Sequence, residues 1–421
     1  MNHRSVSLLV LLCIFSPLGA QSISLADAIK QAQAYNTDAQ DAAITLSQEL
    51  NQAQINEHLP SIKLTAGASA QASLLDQSYS ASISPLASVS FSLSSATRYT
   101  DEEQTLATHM AQSKYGSAMQ QIEYAVTTAY WNVVAAELSL QMQQLEVEQK
   151  QENLERIRSQ YEGGEVTTLS VSQAELSLAD AMLNKNSRER SLVEAKEQLS
   201  LLTGSDVEGK LDALLPIGAL KSLDALLALA SSTTTITARE LQVQQAELAY
   251  LQTKASSSSP VVALDVSSTF SANLSTTATA LRDATTVGVT VSVPIDAYLK
   301  NSKSSITLQN LESDIQLAKN SLEAGKHALA TSITSVYRTI EDAEKTIAYL
   351  TDYELLAQQS AELSQRAYDA GEISYRELVE SQKSLSQAHL TLLAEQVHHT
   401  LSIHELAYLL QVPTTTLYKE S

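Results

Sequence analysis

One turn occurs twice in this chain, so whatever fold forms must contain the same unit twice. The second copy is Tyr368-Asp369-Ala370-Gly371-Glu372-Ile373-Ser374-Tyr375-Arg376-Glu377 and the first is Tyr161-Glu162-Gly163-Gly164-Glu165-Val166-Thr167. Gly371 suits a helix C′ position, where only glycine takes the left-handed conformation without steric cost. Ser374 and Glu377 have capping-box spacing and restart a helix. Long helical patterns enter and leave both turns, which predicts a helical hairpin built twice.

The duplication extends beyond the turns. Equivalent positions lie 200 apart at Pro60 and Pro260, and 207 apart at Tyr161 and Tyr368 and at Tyr130 and Tyr337. A repeat of this length has to be read before any local feature. Each copy opens with a helical pattern, from Ser24 to about Glu57 and from Ser222 to about Lys254. Each then switches to period two. Ile62, Leu64, Ala66, Ala68, Ala70 and Ala72 alternate with polar residues or glycine, and Ala81, Ile83, Ala87, Val89, Phe91 and Leu93 follow. Pro85 marks a bulge or a poorly paired position in that second strand. The second copy repeats the pattern with Val262, Leu264, Val266, Phe270, Ala272 and Leu274, then Val287, Val289, Val291, Val293 and Ile295, with Pro294 ending the last strand.

Helical periodicity then returns, from about Ser94 to Glu162 in the first copy and up to Tyr368 in the second. The second long helix carries a seam at Leu308, Leu311, Ile315, Ala318, Leu322, Gly325, Leu329, Ile333, Val336, Ile340, Ala343, Ile347 and Leu350. A sustained seam of this period makes a coiled coil. A helix of about 65 residues is roughly 100 Å long, more than a globular domain needs. Return helices run from about Thr168 to Leu202 and from the second turn to about Leu410. The divisions are 1–20 signal peptide, 21–204 first repeat, 205–221 linker, 222–412 second repeat and 413–421 tail. No mature-chain proline (60, 85, 216, 260, 294 or 413) falls inside a predicted long helix.

Residues 1–20 read as a secretory signal: Arg4, an apolar run from Leu8 to Phe15, then Leu18-Gly19-Ala20. The apolar run is too short to span a bilayer as a helix. Cys13, the single cysteine, lies within that segment, so the mature chain has no disulfide or thiolate chemistry. Removing Arg4 leaves 26 basic against 47 acidic residues, a charge of −21. That excludes nucleic acid as an expected partner.

Strands of about 10 to 13 residues with Ser/Thr/Gly on one face and uncharged apolar residues on the other fit a transmembrane barrel. An ordinary sheet packed on helices shows the same alternation, so both readings stand at this point. Four strands cannot close a barrel, and lipid forbids an open edge. In the barrel reading the strands therefore close between subunits, twelve in a trimer.

The ordered set of features resembles the outer-membrane efflux proteins, the TolC family. It comprises the duplicated helix, two-strand, long-helix, turn and helix plan; Tyr130-Trp131-Asn132-Val133; the Tyr161–Gly164 turn; Leu201-Leu202-Thr203-Gly204; and Tyr368–Glu380. The resemblance implies a mainly α protein with a small β part: duplicated long coiled-coil hairpins, with four strands per protomer joining a trimeric 12-stranded β-barrel and an α-helical tunnel. It implies an outer-membrane exit duct for efflux or type I secretion, reaching into the periplasm. The implied partners are a periplasmic adaptor protein, an inner-membrane transporter and outer-membrane lipid. The family's pore constriction has two acidic residues, six and nine positions after the turn glycine, which here are Glu377 and Glu380. Mutual repulsion in such a ring raises carboxylate pKa values. Glu377 is also the capping acid of Ser374, which by itself accounts for its presence. Tyr368 matches the gating tyrosine, and Gly371, Gly163 and Gly164 shape the turns. The family's gating arginine position is Ile373, and its acidic partner corresponds to Ser170, so that latch is not reproduced.

His389, His398, His399 and His404 lack the spacing of a metal site and read as a solvated helix face. Tyr79, Tyr99 and Tyr298 sit where an aromatic belt would lie. No catalytic set and no cofactor motif are expected. The rival to a channel is a secreted coiled-coil scaffold or adaptor with a soluble β-domain.

Overall fold

A computed structural model of the chain describes residues 21–54, 61–73, 78–93, 98–205, 207–209, 214–215, 217–275, 279–295 and 298–419. The expected signal with Cys13, the end of the first helical pattern at Glu57, Pro60 and Pro216 lie outside the described residues.

Strand β1 (Gln21–Ile23) leads into α1 (Leu25–Tyr35) and α2 (Thr37–Ala53). Ser24 caps α1 by accepting the Asp27 amide at 3.3 Å. The expected continuous first helix is broken at Asn36, whose backbone is extended (φ −65°, ψ 130°). Its side chain accepts the Asp38 amide at 2.7 Å and donates to the Leu202 carbonyl at 3.4 Å. The break therefore has its own cap and a tie to a distant helix end. The second copy is likewise broken, at Ser231–Thr233, into α5 (Leu223–Ala230) and α6 (Thr234–Ser258). There the Gln411 side chain accepts the Thr234 amide.

Four strands, β2 (Ser61–Ser73), β3 (Ser78–Leu93), β5 (Val261–Ser275) and β6 (Thr279–Ser292), form one antiparallel sheet in the order β2-β3-β5-β6. The register carries the alternation across the sheet. Ile62, Val89, Val266 and Val287 form one row, and Ser61, Ser90, Asp265 and Gly288 form a row of the opposite face. Ile62, Leu64, Val287, Val289 and Val291 are all well exposed, so the apolar face has no cover within the protomer. Pro85 pairs with Ala66, but the β3–β5 ladder passes from Ile83↔Ala272 to Leu86↔Thr269 without it, because proline has no amide to donate. Strand β6 ends at Ser292, before Pro294. Strand β4 (Val207–Gly209) pairs in parallel with β1, an element absent from the sequence expectation for the 205–221 linker.

The long helices are α3 (Thr100–Glu162) and α7 (Lys303–Asp369), with 63 and 67 residues. Helix α3 begins at Thr100, later than the expected Ser94; residues 94–97 are outside the described set. Helices α4 (Thr168–Thr203) and α8 (Tyr375–Leu410) return antiparallel to them. Every position of the predicted α7 seam, from Leu308 to Leu350, is buried or half-buried.

Two apolar cores hold the hairpins together. The first gathers α1, α3, α4 and α8 around Tyr130, Trp131, Leu199 and Val397. The second joins α5, α7, α8 and the C-terminal 3₁₀ turn (Thr414–Leu417) through Ile333, Ile340, Ile403, Leu406 and Leu417. Helix α8 belongs to both cores and so links the repeats.

Gly325 marks where α6 crosses α7. A Cβ there would lie 2.5 Å from Arg239 Nε, and the Arg239 guanidinium donates to Ser321 Oγ at 2.7 Å. Alanine favours a helix over glycine by about 1 kcal/mol, whereas overpacking costs typically 1–3 kcal/mol. Gly325→Ala should therefore be net destabilising, and Arg239→Ala added to it should recover the loss. Thermal melts of the four variants of the cycle test this; no recovery in the double variant would mean that Arg239 is not the obstacle.

Candidate functional site

Both tips are the same backbone device. Gly164 and Gly371 have φ of +75° and +73°. The Gly164 amide donates to Tyr161 O and the Glu165 amide to Gln160 O, both at 2.9 Å; Gly371 to Tyr368 O and Glu372 to Ala367 O repeat the pattern at 2.9 and 2.8 Å. This is the Schellman motif, which satisfies the orphan carbonyls of α3 and α7. Gly163 has an ordinary φ of −77° and stands at the C-cap. Tyr368 lies in the last turn of α7, exposed at its tip.

The Ser374–Glu377 capping box is complete. Glu377 Oε2 accepts from the Ser374 amide and hydroxyl, both at 2.8 Å, and the Glu377 amide donates back to Ser374 Oγ at 3.3 Å. Those hydrogen bonds hold the Glu377 carboxyl below the usual glutamate range, with Arg376 adding a smaller pull in the same direction. Within the protomer this is opposite to the rise expected from a ring of carboxylates. Glu380 lies one turn further along α8, also exposed. The three-residue spacing puts both on one side of the helix. Ile373 and Ser170 are half-buried, and Ser170 Oγ faces Thr167 Oγ1 at 3.4 Å, a local contact within its own turn.

The histidine face departs from expectation. His389 and His398 are exposed, but His399 is 1% exposed and His404 is half-buried beside Trp131, with ring centroids 6.4 Å apart. Burial pushes the pKa of both inward-facing histidines down. The cause of the error is that α8 packs on α3 and α7 at once, so little of its circumference stays wet. Among the described residues, no three His, Cys, Asp or Glu side chains are grouped to hold a metal. Tyr298 is exposed and donates to Ser258 O at 3.3 Å, Tyr99 lies under the Arg98 guanidinium at 4.6 Å, and the Tyr79 side chain is outside the described set.

Two features went unnoticed in the sequence. Helix α4 carries Leu169, Leu176 and Leu183 two residues past its buried or seam-side positions, such as Ala174 and Ala181. Helix α7 carries Tyr349, Leu356 and Leu363 two residues past Ile347 and Ala361. All six are between 63 and 76% exposed. Two residues are about 200° on a helix, so each helix has a second apolar stripe facing away from its own hairpin partner. The seven-residue spacing was visible, but each stripe is too sparse to stand out beside the main seam. The other missed feature is an ion pair between Lys383 and Glu152, at 2.6 Å.

An exposed apolar sheet face is set on two long antiparallel hairpins, with free strand and helix edges. Residues 28–205 match the outer membrane efflux protein family, and the described residues have a TolC-like fold. It is similar to the CmeC outer membrane channel of Campylobacter jejuni (14% identity, TM-score 0.73), with 98% of this chain and 96% of that chain covered. It is similar to the open state of the MtrE outer membrane channel of Neisseria gonorrhoeae (17%, TM-score 0.71; 92% and 89% covered). It is also similar to the outer membrane protein VceC of Vibrio cholerae (17%, TM-score 0.69; 93% and 96% covered). No curated protein matches the sequence.

Proposed function

We infer that the chain is the protomer of an outer-membrane channel-tunnel, the passive exit duct of a tripartite efflux or type I secretion system. The observation that carries this is the uncovered apolar face shared by β2, β3, β5 and β6. Water would penalise so much exposed Val, Ile and Leu, whereas lipid is its matching solvent. Among the described residues no helix is long and apolar enough to cross a membrane, so the sheet is the element suited to insertion. A secreted scaffold with a soluble β-domain would need that face covered.

The protomer is incomplete at both edges. Strands β2 and β6 each have one neighbour in the sheet, and lipid tolerates no unpaired edge. A homotrimer joins β6 of one copy to β2 of the next and closes twelve strands. The helical stripes support the same pairing. Counted from Gly164, Leu169, Leu176 and Leu183 lie 5, 12 and 19 residues up α4; counted from Gly371, Leu363, Leu356 and Tyr349 lie 8, 15 and 22 residues up α7. The helices run in opposite directions, and the two sets interleave by about half a heptad, as antiparallel knobs and holes require. The tips project into the periplasm, where an adaptor protein and an inner-membrane transporter engage them and supply the energy.

Purified trimer in a planar lipid bilayer should form conducting pores, and none would sink the channel reading. Three Glu380 side chains around a threefold mouth attract cations. Glu380→Gln should therefore lower cation over anion permeability, read as a shift in reversal potential across a salt gradient. An unchanged reversal potential would take Glu380 out of the pore lining.

A further inference from the structure

A cavity of about 410 Å³ opens between α3 and α8, one helix from each repeat. Glu123, Tyr124 and Thr127 line it from α3, and His404, Tyr408 and Gln411 line it from α8 or its C-cap. It is remote from both the turns and the sheet. Tyr124 lies roughly 60 Å along α3 from its tip end and roughly 35 Å from its sheet end. The contacts proposed between copies use α4 and α7, so one chain supplies this site whole.

The lining has one electrical sign. Tyr124 and Tyr408 stack with ring centroids 4.2 Å apart and planes at 11°, which makes an aromatic wall out of both repeats. Glu123 brings an exposed carboxylate, and among the described residues no Lys or Arg lines the cavity. Burial pushes the His404 pKa down, so its ring is uncharged at neutral pH. Burial raises the Tyr124 pKa and the Glu405 carboxylate raises it further, which sets a second negative charge beside the aromatic pair. The volume is that of a small-molecule site. Aromatic rings attract cations through their faces, and a chain of formal charge −20 draws cations toward any such site.

We propose that this cavity binds a small organic cation, an aromatic or alkylated amine that lies against the Tyr124–Tyr408 pair with its charge toward Glu123. An anion of the same size meets carboxylates and no compensating cation there, and is rejected. The site is built by a single chain and does not depend on the channel reading.

Ethidium, a flat aromatic cation, is the probe, and fluorescein, a flat dianion of similar size, is its control. Fluorescence anisotropy reads both against the full-length protein in a non-ionic detergent. Ethidium should bind saturably at one site per chain, and fluorescein should not bind there. Glu123→Gln should weaken ethidium several-fold and Glu123→Lys more strongly; Glu123 is exposed, so both variants keep the fold. Tyr408→Leu should weaken it by about tenfold, the worth of one cation–π contact. An absence of saturable ethidium binding would overturn the site, as would fluorescein binding equally well or ethidium binding unmoved by Glu123→Lys. Ethidium binding with the expected losses in a protein that forms no pores would leave the site standing and sink the channel reading; pores without ethidium binding would do the reverse.

Discussion

Leu176→Lys should convert the assembled channel to monomer, and Leu356→Lys should do the same. In the proposed trimer each contact uses α4 of one copy and α7 of the next, so damage to either face weakens all three contacts. Burying a leucine side chain contributes about 1.5–3 kcal/mol. Placing an unpaired ammonium in the same seam removes that term and adds a desolvation cost of several kcal/mol. The same loss is repeated at all three contacts, so the trimer should dissociate far more readily. Leu176→Met is the volume-conserving control and should stay trimeric, because such swaps usually cost under about 1.5 kcal/mol. Native mass spectrometry from detergent reads the outcome. An intact trimer in Leu176→Lys would show that α4 faces solvent in the assembly.

Trp131→Ala should be the most damaging single truncation within the protomer, at about 3–5 kcal/mol. Trp131 is 2% exposed where α1, α3, α4 and α8 converge. It meets Tyr130 edge-on, with ring centroids 5.6 Å apart and planes at 86°. Such aromatic pairs add about 0.5–1.5 kcal/mol beyond burial. The indole Nε1 has no hydrogen-bond partner, so Trp131→Phe removes an unsatisfied donor while keeping a ring, and should cost much less than alanine. The midpoint of denaturant unfolding, with m unchanged, compares the two. Equal midpoints would mean that the site collapses around the missing ring and that packing here is loose.

The two inward-facing histidines show why face assignments on α8 fail from sequence alone. His399 and His404 are five residues apart, and both look like ordinary polar positions on an amphipathic helix. Their inward placement follows from α8 being shared by two cores, which depends on where α3 and α7 come to lie. The helix breaks at Asn36 and at Ser231–Thr233 have the same origin. Asn and Thr are unremarkable within a helical pattern until Leu202 O and the Gln411 side chain, far away in the chain, are there to hold the broken ends.

What the sequence determined by itself is everything governed by short range. The switch from period two to the heptad seam located strands and long helices, because side-chain direction repeats every two residues in one and about every 3.6 in the other. The two turns were legible because Gly164 and Gly371 satisfy a local backbone requirement, and Ser374–Glu377 a local hydrogen-bonding one. The duplication followed from comparing the chain with itself. The tertiary structure alone decided what distant segments do to one another: the β1–β4 pair, the double burial of α8, the second stripes on α4 and α7, and the meeting of Glu152 with Lys383. Those contacts depend on how long helices are rotated against their neighbours. A residue's spacing says which residues share its face, but only packing says what that face meets.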